Sequence, residues 1–164
     1  MADPIEELLK MSVEERSQLR WDDSRLDYVA GKLEQQYEMP EGSLRAIKFA
    51  ENTGLVNGKL SPSENTSAAT SNKNAKGIMQ FIPQTLKSFE HNPLDPIESM
   101  NAAAKLLSEE ANRMKGNWAA AFAQYNGGTS QGKRVMDGKR PSFKETDNYL
   151  KKIELYYKQN TKGR

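Results

Sequence analysis

The sequence has no cysteine, so disulfide bridges and thiolate metal sites are excluded. It has one histidine, His91, which removes any histidine-rich metal site and makes a Ser-His-Asp triad depend on that single residue. His91 stands in "FEHNP", at an expected helix end, where the helix dipole or plain exposure accounts for it. Valine and isoleucine together number ten against fifteen alanines, which leaves little material for strands. No apolar run approaches the roughly 18 residues of a membrane span. The start, "MADPIEELLK", has no basic segment followed by an apolar core, so neither a signal peptide nor membrane insertion is expected. An excess of one charge is missing too. With 24 basic and 22 acidic side chains the net charge is +2 and the pI about 8.7, too even for a clustered nucleic-acid-binding face.

What remains is a chain of 164 residues, 36% hydrophobic and 28% charged: polar, foldable and able to bury a core. Helix signals dominate it, and the fold class is all-α, or α with a minimal β element. Asp3-Pro4 reads as an N-cap with proline at the first helical position. Ser12 with Glu15 fits a capping box. Leu26, Val29, Ala30, Leu33 and Tyr37 keep helical spacing from about Ser24 to Tyr37. Pro40 and Gly42 interrupt before a helix from Ser43. A polar run from Asn57 to Lys76 follows, and then "FIPQTLKSFE" suggests a short helix from Pro83. In "DPIESMNAAAKLLSEEANRMKG", Asp95 caps, Pro96 opens, Glu98 completes a box and Gly116 ends the helix. Its buried stripe is Met100, Ala103, Ala104, Leu107, Ala111 and Met114. Asn117 caps a helix bearing Trp118, Ala121, Phe122 and Tyr125 until "NGG" breaks it. The last helix runs from about Thr146 with Tyr149, Leu150, Ile153 and Tyr157 on one face.

In "SLRAIKFAENTG" the residues Leu44, Ile47 and Glu51 fall at i, i+3 and i+7, so a carboxylate shares the core face in the last turn. Burial and the wrong end of the helix dipole both push such a carboxyl's pKa up, which suits a general acid. The competing reading is a frayed terminal turn before Gly54, with Glu51 in solvent. Two further stretches, "GIMQF" and "AQYNGG", set an amide beside a thioether or aromatic group, next to glycines that permit close backbone approach. Sugars are bound by such mixtures, although each alone also fits core packing or a turn.

Taken in order, "AEN" at Ala50–Asn52, "GIMQF" at Gly77–Phe81, "DPIESMNAAAKLL" at Asp95–Leu107, "AQYNGG" at Ala123–Gly128 and "KETDNYLKKI" at Lys144–Ile153 resemble the soluble lytic transglycosylase (SLT-type) domain. That domain is related in fold to goose-type lysozyme. The resemblance covers roughly Asp27 to Tyr157. It implies a lysozyme-like helical domain with a glycan-binding cleft over residues 24–164, an enlarged loop at 52–76, and a helical N-terminal extension at 1–23. By the same resemblance Glu51 is the single catalytic acid/base, and Tyr149 the tyrosine whose hydroxyl reaches its carboxyl. Met79, Gln80 and Phe81 line the substrate cleft, and Tyr125 and Asn126 sit near the reacting sugar. Glu145 and Thr146 match the same motif. No metal or cofactor is implied. Three departures stand out: Asn52 replaces the usual serine, the interval from Glu51 to Gly77 is longer, and "NAAAKLL" lacks a glycine.

The implied reaction cleaves the β-1,4 bond between N-acetylmuramic acid and N-acetylglucosamine in peptidoglycan and leaves a 1,6-anhydro end. Ordinary glycosidases need two carboxylates, and none of the other carboxylates in the shared motifs is read as a catalytic partner of Glu51; Glu64, in the loop, is a candidate. Muramidase-type hydrolysis and a non-catalytic wall-binding module are the alternatives. The expected partner is the glycan strand of the cell wall, with delivery by a phage virion. The N-terminal extension is expected either to dock other virion or secretion proteins or to pack on the domain.

Overall fold

The computed structural model describes residues 3–62, Met79 and residues 92–161. Among them the chain forms α1 (Pro4–Lys10), α2 (Val13–Ser17), α3 (Ser24–Gln36), α4 (Ser43–Glu51), β1 (Thr53–Val56), β2 (Lys59–Pro62), α5 (Pro96–Arg113), α6 (Trp118–Gly127), α7 (Thr129–Met136) and α8 (Lys144–Thr161). The all-α expectation holds, with one two-stranded antiparallel sheet as the minimal β element. No described helix is long and apolar enough to cross a membrane.

Several helix starts follow from local chemistry. Asp3 accepts from the Ile5 amide at 2.8 Å, and Ser12 and Glu15 form the reciprocal box at 3.1 and 3.0 Å. Asn117 accepts from Ala120 at 2.9 Å. The box expected at Asp95 does not form. Asp95 accepts from Ile97 at 3.0 Å, its own amide donates to Asn92, and Glu98 stays exposed. The competing partner is Arg16, which grips both carboxylate oxygens of Asp95 at 3.2 and 2.7 Å. Arg16 also donates to the carbonyls of Leu8 and Met11 at 3.1 and 2.9 Å. The N-terminal helices are thereby tied to the start of α5, and buried Leu8 and Trp21 enter the common core.

Two elements depart from the sequence expectation. The first part of the polar run is a hairpin: Leu55 pairs with Leu60 and Val56 with Lys59. Asn57 and Gly58 between them both take positive φ, 51° and 74°, as a two-residue primed turn requires. Asn-Gly was the available signal, but the flanking strands are too short and polar to show alternation. The second is α7, which follows Gly128 despite Gly132 in its interior. A Cβ on Gly132 would come within 2.9 Å of the Gln124 and Met114 side chains, so this glycine lets α7 close on α6.

The centre of the core is α4. Leu44, Ala46 and Ile47 are fully buried, and the helix packs between α3, α5 and α8. Its N-terminus has no side-chain cap of its own, because Gly42 stands there with φ 86°. Glu34 of α3 serves instead: its buried carboxylate accepts from the amides of Gly42 (2.8 Å), Leu44 (3.0 Å) and Arg45 (3.1 Å). The Arg45 guanidinium adds a contact at 2.9 Å. These are the amides that a helix leaves unpaired, and a carboxylate complements the positive end of its dipole. Glu34→Ala strands those amides and a half-buried cation together. A loss of about 3 kcal/mol is expected, checked by urea unfolding at neutral pH; a loss within experimental scatter would show that water replaces the carboxylate.

Candidate active site

Glu51 is the last residue of α4, and the chain passes through Asn52 directly into β1. Asn52 is buried, and its side-chain amide donates back to the Lys48 carbonyl at 2.7 Å. An amide at this position therefore closes the end of α4 from within. Gly54, which suggested fraying, is paired with Ser61 in the hairpin, so the helix end is held from both sides.

Opposite this end lies α8. Tyr149 and Lys152 are three residues apart and share a face. Tyr149 is 1% exposed. Among the described residues its hydroxyl has no partner at full hydrogen-bonding geometry, but it is near enough to the Glu51 carboxyl to act on its pKa. The Lys152 ammonium donates to the carbonyls of Ala50 and Thr53, each at 2.7 Å. From α6, Tyr125 also feels the Glu51 charge, while its hydroxyl donates to the Met79 carbonyl at 2.7 Å.

The electrostatics follow from this crowding. Burial raises the Glu51 carboxyl from the usual 4.5 to about 8, against the opposing pull of Lys152 and the Tyr149 hydroxyl; Glu145 adds to the rise. Part of the residue's surface stays accessible, so a protonated acid near neutral pH remains within reach of a substrate. Burial, and then the Glu51 charge, push Tyr149 and Tyr125 well above the usual phenol range. Both therefore stay neutral hydroxyls.

The expected site residues divide accordingly. Glu51, Tyr149 and Tyr125 come together. Asn126 is on the same helix as Tyr125, and its buried side-chain oxygen has no partner among the described residues, which leaves an acceptor for a bound hydroxyl or amide. Met79 lies behind the site: its side chain is wholly buried in the core, and the group held by Tyr125 is its carbonyl. Gln80, Phe81, Glu64, His91 and the helix expected from Pro83 lie outside the described residues. Among the described residues no group of three or more histidine or acidic side chains is placed to hold a metal ion.

The second half of the "YNGG" and "KET" motifs is explained by packing. A Cβ on Gly127 would run into the Thr146 hydroxyl and the Gln131 side chain. Thr146 is itself buried at the start of α8, so α6 can meet α8 only at a glycine. Gly127→Ala should cost about 2 kcal/mol through overpacking and lower the melting temperature; an unchanged melting curve would mean that α8 can shift at no cost. Gln131, fully buried, was not singled out from the sequence. Its side-chain oxygen accepts from the Ser142 and Phe143 amides at 2.8 and 3.1 Å, and this fixes the approach to α8. Lys152 was also missed. The available signal was a lysine at i+3 from Tyr149 in "YLKKI", on the face that Tyr149 shares.

A cavity of about 340 Å³ adjoins the site, lined by Leu55, Lys144, Glu145, Asn148 and Lys152. Residues 29–149 match the family model of the transglycosylase SLT domain.

Proposed function

We propose that this chain, which belongs to the transglycosylase SLT domain family, cleaves peptidoglycan with Glu51 as its only acid/base. Domains of this family are lytic transglycosylases, enzymes that break glycosidic bonds of the cell wall. The observation that carries the single-residue reading is Glu51 itself: a carboxyl raised to about 8 by burial, facing Tyr149, at the end of a helix fixed at both ends.

Protonated Glu51 donates to the oxygen joining N-acetylmuramic acid to N-acetylglucosamine, and the C1–O bond breaks. The oxocarbenium-like centre is supported by the substrate's 2-acetamido group or by the carboxylate now formed. Glu51 then takes the proton of the C6 hydroxyl as O6 bonds to C1. The acid is regenerated and the product ends in a 1,6-anhydro sugar. Tyr149 holds the carboxyl in place through both proton transfers. Asn126 offers its side-chain oxygen to a substrate hydroxyl or amide, and Tyr125 fixes the Met79 backbone beside the site. Gln80 and Phe81 are substrate-binding residues in this reading. Carriage by a phage particle, for local breaching of the wall, belongs to the same proposal and rests on the sequence reading alone.

One observation favours a second reading. Glu145, exposed on the first turn of α8, is near enough to raise the Glu51 pKa and so offers a carboxylate that can activate water, as a hydrolase needs. Mass spectrometry of muropeptides released from purified sacculi separates the two. Products one water lighter than the reducing sugars support the transglycosylase; reducing ends throughout would make the protein a muramidase. Sedimentation with sacculi and no release would leave only a binding module.

A further inference from the structure

The short helix that carries Glu51 is held at its two ends by side chains of opposite charge from other helices. At the N-terminus the Glu34 carboxylate takes the free amides. At the C-terminus the Lys152 ammonium takes carbonyls, and the two it takes are informative. Ala50 precedes Glu51 and Thr53 follows Asn52, so the 2.7 Å contacts bracket the acid and join the last turn of α4 to the first residue of β1. The last carbonyls of a helix lack intrahelical partners and carry the negative end of its dipole. A cation there satisfies both conditions.

We propose that Lys152 is a positioning residue for Glu51: its ammonium staples the backbone on either side of the acid, and its charge acts on the carboxyl as it ionises. This rests on the acid/base reading above. During cleavage Glu51 passes from neutral acid to carboxylate, in a place where burial opposes charge. The groups that face it there are Tyr149, Lys152 and Glu145 from α8 and Tyr125 from α6. Tyr149 offers a neutral hydroxyl to the developing carboxylate, Glu145 repels it, and the positive charge that acts on it is that of Lys152. Its third N–H is not used by the two carbonyls and can turn towards the carboxylate or towards the adjoining cavity.

The test uses three variants of the full chain. Lys152→Met removes donors and charge, Lys152→Gln keeps donors without charge, and Lys152→Arg keeps both. Each is followed by melting temperature, by kcat and KM against pH on purified glycan strands, and by 13C NMR titration of the labelled glutamate carboxyls, with Glu51→Gln identifying the Glu51 signal. Lys152→Met is expected to lower kcat about 30-fold with little change in KM. Loss of the cation raises the Glu51 pKa, so the alkaline limb and the NMR midpoint should both move to higher pH. Lys152→Gln should recover stability but not the midpoint, and Lys152→Arg should recover both.

If Lys152→Met titrates like wild type, or loses activity only in proportion to its unfolded fraction, the positioning role is wrong. Should that variant not fold, matching pH profiles for the Gln and Arg variants would overturn it as well. Full activity in Glu51→Gln would instead remove the acid/base reading, an outcome that none of the Lys152 measurements can produce.

Discussion

Replacing Glu51 with glutamine is expected to lower turnover on peptidoglycan by about a thousandfold, the scale of a lost general acid, while binding to sacculi is retained. Glutamine has nearly the same shape and can fill the same space against Tyr149, but it cannot deliver a proton or take one back. Kinetics on purified glycan strands would check this; activity within tenfold of wild type would exclude Glu51 as the acid. The same variant carries a second, opposite signature. Because burial lifts the carboxyl from 4.5 to about 8, the folded chain binds this proton more tightly than the unfolded chain does. Its contribution to stability is fully present below pH 4.5 and is lost as pH rises through 8. Glu51→Gln has no such loss. Its melting temperature relative to wild type should therefore rise between pH 4 and pH 9, even though it is inactive. A difference that stays flat across that range would mean that the carboxyl is not strained in the folded state. In the wild type, kcat/KM should fall as pH rises past about 8, when free enzyme loses the acid proton.

Tyr149→Phe is the second large effect, with kcat expected to fall about 30-fold and KM to change little. The ring is buried and phenylalanine preserves it. The hydroxyl has no partner at full geometry among the described residues, so stability should change by no more than about 1 kcal/mol. What the variant removes is the group that acts on the Glu51 carboxyl. That group favours the ionised carboxyl and holds down its pKa, so the alkaline limb of the rate profile should move upward. A loss of kcat without movement of that limb would place Tyr149 on the substrate instead of on Glu51. Unchanged kcat would remove it from the site.

Much of the molecule was legible locally. Asp3, Ser12, Asp95 and Asn117 each start the helix expected of them, because capping is settled within a few residues of chain. The stripe of Met100, Ala103, Ala104, Leu107 and Ala111 is buried as its spacing required, while Met114 at its end is only partly covered. Glu51 was visible as a carboxylate on an apolar face, and Tyr149 and Tyr125 through motif resemblance. Where sequence reasoning failed, the deciding partner was far away in the chain. The box at Glu98 gave way to Arg16, a residue 79 positions from Asp95. Gly132 in α7 reads as a helix breaker until α6 is placed against it.

The sequence alone determined that the chain is helical, where most of its helices begin, and which carboxylate is out of keeping with its face. These depend on propensity, spacing and caps, all of which act over one or two turns. Only the tertiary structure decided that Glu51 is held as an acid near neutral pH. That property comes from burial by α4's neighbours, with Glu145 adding to it, against the pull of the Tyr149 hydroxyl and of a lysine 102 residues from the carbonyl it caps. Solvation and charge are fixed by what packs in space, and no local pattern records them.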